Sequence, residues 1–319
     1  MNLFVIPVTL SADTPVPSTT PKTESPETDY KPYIRIVPEK ALTRSDKDLI
    51  TMALPTQPIV KPKQLRKLLV FDLNVDFEGH RSIVCANFAL TQMGLRTKAF
   101  DVVVSHDPAD FKAEHLQEFG AVVLNNTVGN LFEDEQLRHD FEEYVKNGGG
   151  LLVLHSAAEA FICYGGDKIG QDDWAVFGKM LGARNMVHQE VNELVFVTVE
   201  HPEHPLTQFF PKEGFWYRDE IPRFVNWYSS EKQLILLRMD STKSKAQHSA
   251  LRQSQEHAEN DEKNHALLWV QQYGQGRCCY IAFGHNPRVF WDSAMLKLHL
   301  AAAQFVLGDL DTSDNNKTE

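Results

Sequence analysis

The chain has 319 residues, 24% charged and 42% hydrophobic, an ordinary globular composition with room for one large α/β domain or two small ones. Asp and Glu number 43 against 32 Lys and Arg, a formal net charge of -11 that repels phosphate backbones, so nucleic-acid binding is not expected. No stretch approaches the roughly 20 apolar residues that span a bilayer.

The N-terminal run LFVIPVTL (3–10), followed by Ser11 and Ala12, resembles a degenerate signal segment over residues 1–12. It lacks a basic start and is broken by Pro7, which leaves a cytoplasmic and a periplasmic or secreted location both open. Ten of the 16 prolines fall within residues 1–62, and residues 13–30 are too rich in Pro, Thr, Ser and Glu to bury a core. Residues 1–63 are therefore expected to be a disordered or extended arm, of which residues 33–54, with Ile34, Ile36, Val37, Leu42, Ile50 and Leu54, are expected to lie against the body with a short helical turn. The four cysteines, Cys85, Cys163, Cys278 and Cys279, form no CxxC pair and read as buried free thiols.

From residue 66 the texture changes. KLLVFD (67–72), FDVVVS (100–105), AVVLN (121–125) and LLVLH (151–155) are short apolar runs typical of strands buried on both faces. Between them, residues 79–93 read as a helix ended by Gly94, and residues 133–147 as a helix stopped by Gly148 to Gly150. This alternation predicts a doubly wound, mostly parallel α/β sheet. The second half adds antiparallel strands at 191–200, 233–239, 266–273 and 277–283, the last two joined as a hairpin. Residues 240–264 are polar and read as an exposed loop; residues 295–307 form a closing helix, and 311–319 a flexible tail. An exposed strand edge in this half makes a homodimer a reasonable expectation.

In such sheets ligands bind at the carboxyl ends of the strands. Polar residues stand there after each apolar run: Asn74 and Asp76; His106 and Asp107; Asn125, Asn126 and Thr127; His155 and Ser156; His285 and Asn286. GGGLLVLHSAAEAF (148–161) has the pattern of a nucleophile elbow, with His155 at the elbow and small residues opening a helix. Histidine there suits a general acid/base or a metal ligand better than a nucleophile. His188, Asp219, Glu220 and His285 come from distant segments and are candidates to converge with it. His155, His285 and Glu220 are the catalytic candidates, and His155, His188 and His285 the candidate ligands of a divalent metal. Asn125, Asn126, Thr127, Ser156, Asp219 and Trp174 are candidate substrate contacts.

The segments KLLVFDL (67–73), NNTVGNLFEDEQLR (125–138), FEEYVKNGGGLLVLHSAAEAF (141–161), FGKMLGARNMVH (177–188), HPEHPLT (201–207), DEIPRF (219–224), YGQGRCCYIAFGH (273–285) and FW (290–291) together resemble the ThuA-like (trehalose utilisation) family. The resemblance runs in order through about residues 64–310. It implies a flavodoxin-like fold of the class I glutamine amidotransferase type. Amidotransferases carry a cysteine at the elbow; this chain has His155, so glutamine hydrolysis is not implied. The resemblance implies carbohydrate catabolism instead, on 3-keto glycosides such as trehalose derivatives. A 3-keto group acidifies the neighbouring C–H, so histidine acid/base chemistry or a metal-stabilised enolate would expel the glycosidic group. The chain departs from the family at CYGGDKIGQDD (163–173) and at the proline of DEIPRF, which leaves the substrate open. The other readings are a non-catalytic carbohydrate-binding module using Trp174, Trp216, Trp227 and Trp291, and a partner subunit with a decayed site. Convergence of the histidines separates the first reading from these two.

Overall fold

In a computed structural model, residues 30–188, 190–227, 233–244 and 265–310 are described. Apolar runs become strands because their continuous Val, Leu and Phe side chains find partners on both faces. After β1 (Ile34–Arg35) and α1 (Arg44–Ala53) come β2 (Lys67–Phe71), β3 (Asn74–Val75), α2 (Ser82–Thr97), β4 (Asp101–Ser105), α3 (Ala113–Leu116), β5 (Ala121–Asn125), α4 (Glu135–Lys146) and β6 (Gly150–Leu154). The second half carries α5 (Ala175–Leu181), β7 (Ala183–Val187), β8 (Glu193–Val199), β9 (Phe215–Asp219), β10 (Arg223–Trp227), β11 (Gln233–Asp240), β12 (Ala266–Tyr273), β13 (Gly276–Ile281) and α6 (Ser293–Val306).

The main sheet has nine strands in the order β4-β2-β5-β6-β13-β12-β11-β8-β9. From β4 to β13 the pairs are parallel, and from β13 to β9 they are antiparallel. The chain is a mixed α/β protein, as the alternation predicts, with the antiparallel strands in the C-terminal half. The β12–β13 hairpin is closed by Gly274 and Gln275, with Tyr273 opposite Gly276. A separate antiparallel pair, β7 with β10, sets Val187 opposite Arg223. All four cysteines are buried and free.

Two expectations need correction. Gly94 does not end α2: the helix runs to Thr97 and stops at Lys98, which takes a left-handed conformation. Gly94 is there for closeness, since a Cβ would lie 2.4 Å from the Phe100 carbonyl oxygen. Residues 33–63 lie against the body, with Leu42, Ile50 and Leu54 in its core. Helix α1 starts at a Thr43/Asp46 capping box and buries Ile50 completely. Downstream of it, the Gln304 side chain accepts from Ile59 N at 2.8 Å and donates to the Val60 carbonyl at 2.8 Å. The small residues after β6 open no α-helix. They make a short 3-10 turn, His155–Glu159, because Arg184 donates to the Ala158 and Ala160 carbonyls at 2.7 and 2.8 Å, capturing acceptors a helix would use. No helix N-terminus is therefore offered to an anion at the elbow. The expected signal segment, the tail and residues 245–264 of the polar loop lie outside the described residues.

Candidate functional site

The carboxyl ends of β2, β5, β6 and β13 point to one rim of the sheet. His155 ends β6 and turns the chain with a φ of 47°, a left-handed conformation uncommon for a side chain of this size. Its carbonyl accepts from Tyr280 Oη at 3.1 Å, and Gly284 leaves it room: a Cβ at 284 would sit 3.1 Å from His155 Cβ. The ring is fully buried. Its Nδ1 donates to the Ala282 carbonyl at 2.7 Å, and its Nε2 lies 3.1 Å from Glu220 Oε2. Both nitrogens thus face acceptors, the arrangement of an imidazolium. Burial opposes that charge, but the hydrogen bond and charge of Glu220 outweigh it and raise the pKa. Burial likewise opposes the Glu220 carboxylate, yet His155 and the neighbouring histidines pull it down to about 2.

Glu220 lies between β9 and β10, where two ion pairs hold the chain. Arg223 grips Glu193 with two bonds of 2.9 and 2.6 Å, both side chains buried. Arg184 holds Asp172 in the same bidentate way at 3.0 and 2.8 Å. Pairing of β7 with β10 then brings His188, just past β7, to 3.4 Å from Glu220 Oε1 through Nδ1, with the His188 side chain 42% exposed. His285 Nε2 is 3.6 Å from the same oxygen, and its buried Nδ1 has no hydrogen-bond partner among the described residues.

The sequence reading missed His80, which sits in a turn before α2 inside the stretch read as helix. Its ring centroid is 4.7 Å from that of His285 and 5.5 Å from that of His155. Burial, with the charges of His155 and His285, pushes its pKa down to about 3, so it is neutral and offers a lone pair. Burial also lowers His285 despite the nearby Glu220. The glycine before it, Gly79 with a φ of 77°, was the available signal: it marked a tight turn at the end of the first strand unit.

One ligand atom each from His80, Glu220 and His285 lies within 4.8 Å of the other two. Two neutral imidazoles and one carboxylate form a donor set suited to a divalent first-row metal. Of the expected ligands His155, His188 and His285, this group contains His285; His155 has both nitrogens turned to protein acceptors, and His188 Nδ1 lies 3.4 Å from Glu220 Oε1.

The expected substrate contacts separate. Ser156 is buried beside the histidines, its Oγ 3.1 Å from His80 Nδ1. Asp219 faces the backbone instead, accepting from Gly284 N, His285 N and Asn286 N at 2.9, 3.3 and 2.9 Å, which shapes the loop carrying His285. Asn125 is fully buried and donates to the Ile83 carbonyl on α2. Asn126 and Thr127 are also fully buried, and Thr127 Oγ1 has no hydrogen-bond partner among the described residues. Trp174 is no sugar platform: it packs among Phe141, Phe161 and Phe177 in the core. The aromatic rings beside the histidines are Phe77, 5.3 Å from His80, and Tyr164, 5.7 Å from Phe77, both half-buried.

A family model described as ThuA, trehalose utilisation, matches residues 67–306 and so takes in every residue of this cluster. The chain belongs to the ThuA family. Among solved structures, a putative ThuA-like protein from Bacteroides uniformis is 19% identical, covering 81% of this chain and 95% of its own, with a TM-score of 0.56. One from Parabacteroides merdae is 16% identical, covering 81% and 94%, with a TM-score of 0.53. At these identities the likeness is one of fold. Comparison with the curated proteins finds no match. Among the described residues no helix of this ThuA family member is long and apolar enough to cross a membrane.

Proposed function

We propose that this ThuA family member acts in carbohydrate catabolism, eliminating the glycosidic group from 3-keto glycosides such as oxidised trehalose derivatives. The observation that carries this reading is the convergence of His80, His155, His188 and His285 on one carboxylate, Glu220. A sugar-binding module needs no such cluster of titratable groups. We read the five parallel strands, in the order β4-β2-β5-β6-β13, as the 2-1-3-4-5 order of flavodoxin-like sheets, with the cluster at their carboxyl ends. The class I amidotransferase comparison fits this frame, but its thiol chemistry does not. Burial pushes the Cys85 and Cys278 thiols up to about 12, and Cys163 and Cys279 are raised as well.

In this reading His80, Glu220 and His285 would hold a divalent cation, which when bound would supply Lewis-acid polarisation of the substrate ketone. The protein groups do the rest. His188, at the open side of the cluster, takes the C2 proton and returns one to the departing glycosidic oxygen, so the C1–O bond breaks as the C1–C2 double bond forms. His155 keeps Glu220 ionised and in place. Phe77 and Tyr164 offer apolar faces to a sugar ring.

The test pairs elemental analysis with a turnover screen on 3-keto glycosides. Wild type should carry near-stoichiometric metal, lost in His80→Ala, Glu220→Gln and His285→Ala. His188→Ala should keep the metal and lose turnover. A metal-free wild type that leaves every 3-keto glycoside intact would overturn the proposal.

A further inference from the structure

The hydrogen bonds around an imidazole set which of its two nitrogens carries a proton, and Ser156 Oγ is the partner of Nδ1 in His80. A line of buried and half-buried side chains runs to this ring from the far side of α2. Asn87 Nδ2 donates to Asp72 Oδ2 at 2.7 Å, and Asn125 Nδ2 donates to Asn87 Oδ1 at 2.8 Å. Asn126 Nδ2 donates to Asn125 Oδ1 at 3.1 Å, and Ser156 Oγ donates to Asn126 Oδ1 at 3.2 Å. Ser156 Oγ then lies 3.1 Å from His80 Nδ1.

The direction of every bond in this line is forced. Asn125 Nδ2 also donates to the Ile83 carbonyl at 3.0 Å, and a carbonyl can only accept. That fixes which end of the Asn125 amide is nitrogen. Its oxygen must then receive Asn126 Nδ2, so Asn126 presents its oxygen to Ser156. The single Ser156 hydroxyl proton goes to that oxygen, and Ser156 can only accept from His80. The Asn125 nitrogen likewise needs the Asn87 oxygen, so Asn87 turns its own nitrogen to Asp72 Oδ2.

We propose that Asp72, Asn87, Asn125, Asn126 and Ser156 are positioning residues that keep a proton on His80 Nδ1, facing Ser156, and so leave Nε2 for the Glu220 and His285 cluster. This deepens the proposed function, resting on its use of His80 as a ligand, but the tautomer is measured without metal or substrate. Long-range nitrogen–proton correlation spectra of the full chain, labelled at histidine, read it directly; His80→Gln assigns the signal. At pH 7 the wild type should show a protonated Nδ1 and a bare Nε2. Ser156→Ala should bring in the Nε2–H form, and so, more weakly, should Asn87→Ser, three side chains further from the ring. Zinc affinity of Ser156→Ala should fall about 10- to 100-fold. A wild-type ring protonated at Nε2, or a Ser156→Ala spectrum identical to wild type, would overturn the assignment. An Nδ1–H ring in a protein that binds no zinc would uphold it and remove the cation from the proposed function.

Discussion

The two halves of the sheet equip one site in different ways. The parallel half supplies His80, His155 and His285, rings set by strand ends, a left-handed turn and hydrogen bonds. The antiparallel half and the β7–β10 pair supply the charge, Glu220, and the most open ring, His188. The first set is held mainly by backbone hydrogen bonds and burial, the second by segments that buried ion pairs clamp. A charge can be brought beside buried histidines only if its own segment is clamped, because an unclamped carboxylate would retreat to water. Arg223 and Glu193 provide that clamp three and twenty-seven positions from Glu220 along the chain.

Breaking the clamp should have the largest effect. Arg223→Ala leaves the Glu193 carboxylate buried without its partner and should cost about 3–5 kcal/mol in urea denaturation. Replacing both, Arg223→Met with Glu193→Leu, should recover most of that stability. Turnover should stay impaired in the double variant, since the Ile221 carbonyl, which accepts from Arg223 at 3.1 Å, loses its anchor beside Glu220. Full recovery of both would show that the ion pair serves stability alone.

Removing the charge itself is next. Glu220→Gln should lower turnover about a thousand-fold, within the range for an acid/base or ligand group, while the circular dichroism spectrum stays native. The same substitution should let His155 lose its proton near neutral pH, because burial then acts unopposed. A His155 that stays charged in Glu220→Gln would show that Ala282 and Asp219 suffice to hold it.

The parallel half has its own weakness, and it is an acid one. His299 on α6 is fully buried, donates Nδ1–H to the Met295 carbonyl at 2.8 Å, and is pushed down to about 4 by burial. A depressed histidine contributes stability that is complete above its ordinary value near 6.5 and is lost as pH falls toward 4. The loss should reach about 3 kcal/mol at pH 4. His299→Gln should flatten the stability curve between those values in urea titrations. An unchanged slope would mean that other groups set the acid limit.

How much of this was legible in sequence follows the same division. Continuous apolar runs such as 121–124 and 266–270 announce strands, because burial on both faces favours apolar side chains at every position. His155 and His285 were found because a polar residue after such a run must lie at the rim. His80 was missed because its turn precedes α2 without a break in the helical pattern. Trp174 is a candidate sugar contact by sequence and a core residue in the fold, because sequence does not show which way the residue ahead of a short helix turns. Of the neighbouring Asp219 and Glu220, one shapes a loop and the other enters the site. The separation depends on backbone direction at the β9 end, and on Arg223, whose partner lies thirty residues away.

The smallest effect should come where residues 33–63 meet the parallel half. Asp46 caps α1 through Thr43 and is gripped by Arg81, the residue after His80, at 2.6 Å. Burial raises its pKa, but the bonds from Arg81 and Thr43 outweigh it and leave it depressed. Its contribution is therefore present above the ordinary carboxylate value and lost as pH falls through the folded one. Asp46→Ala removes the capping box and should cost about 1 kcal/mol. Hydrogen exchange decides how that cost is distributed. If α1 belongs to the cooperative unit of the parallel half, its amides and those of α2 should exchange faster by the same factor. If α1 opens alone, only residues 44–53 should speed up, and the His80 turn should keep its protection. The buried Ile50 and the Asp46–Arg81 pair favour the first outcome, because opening α1 would strip both from the start of α2.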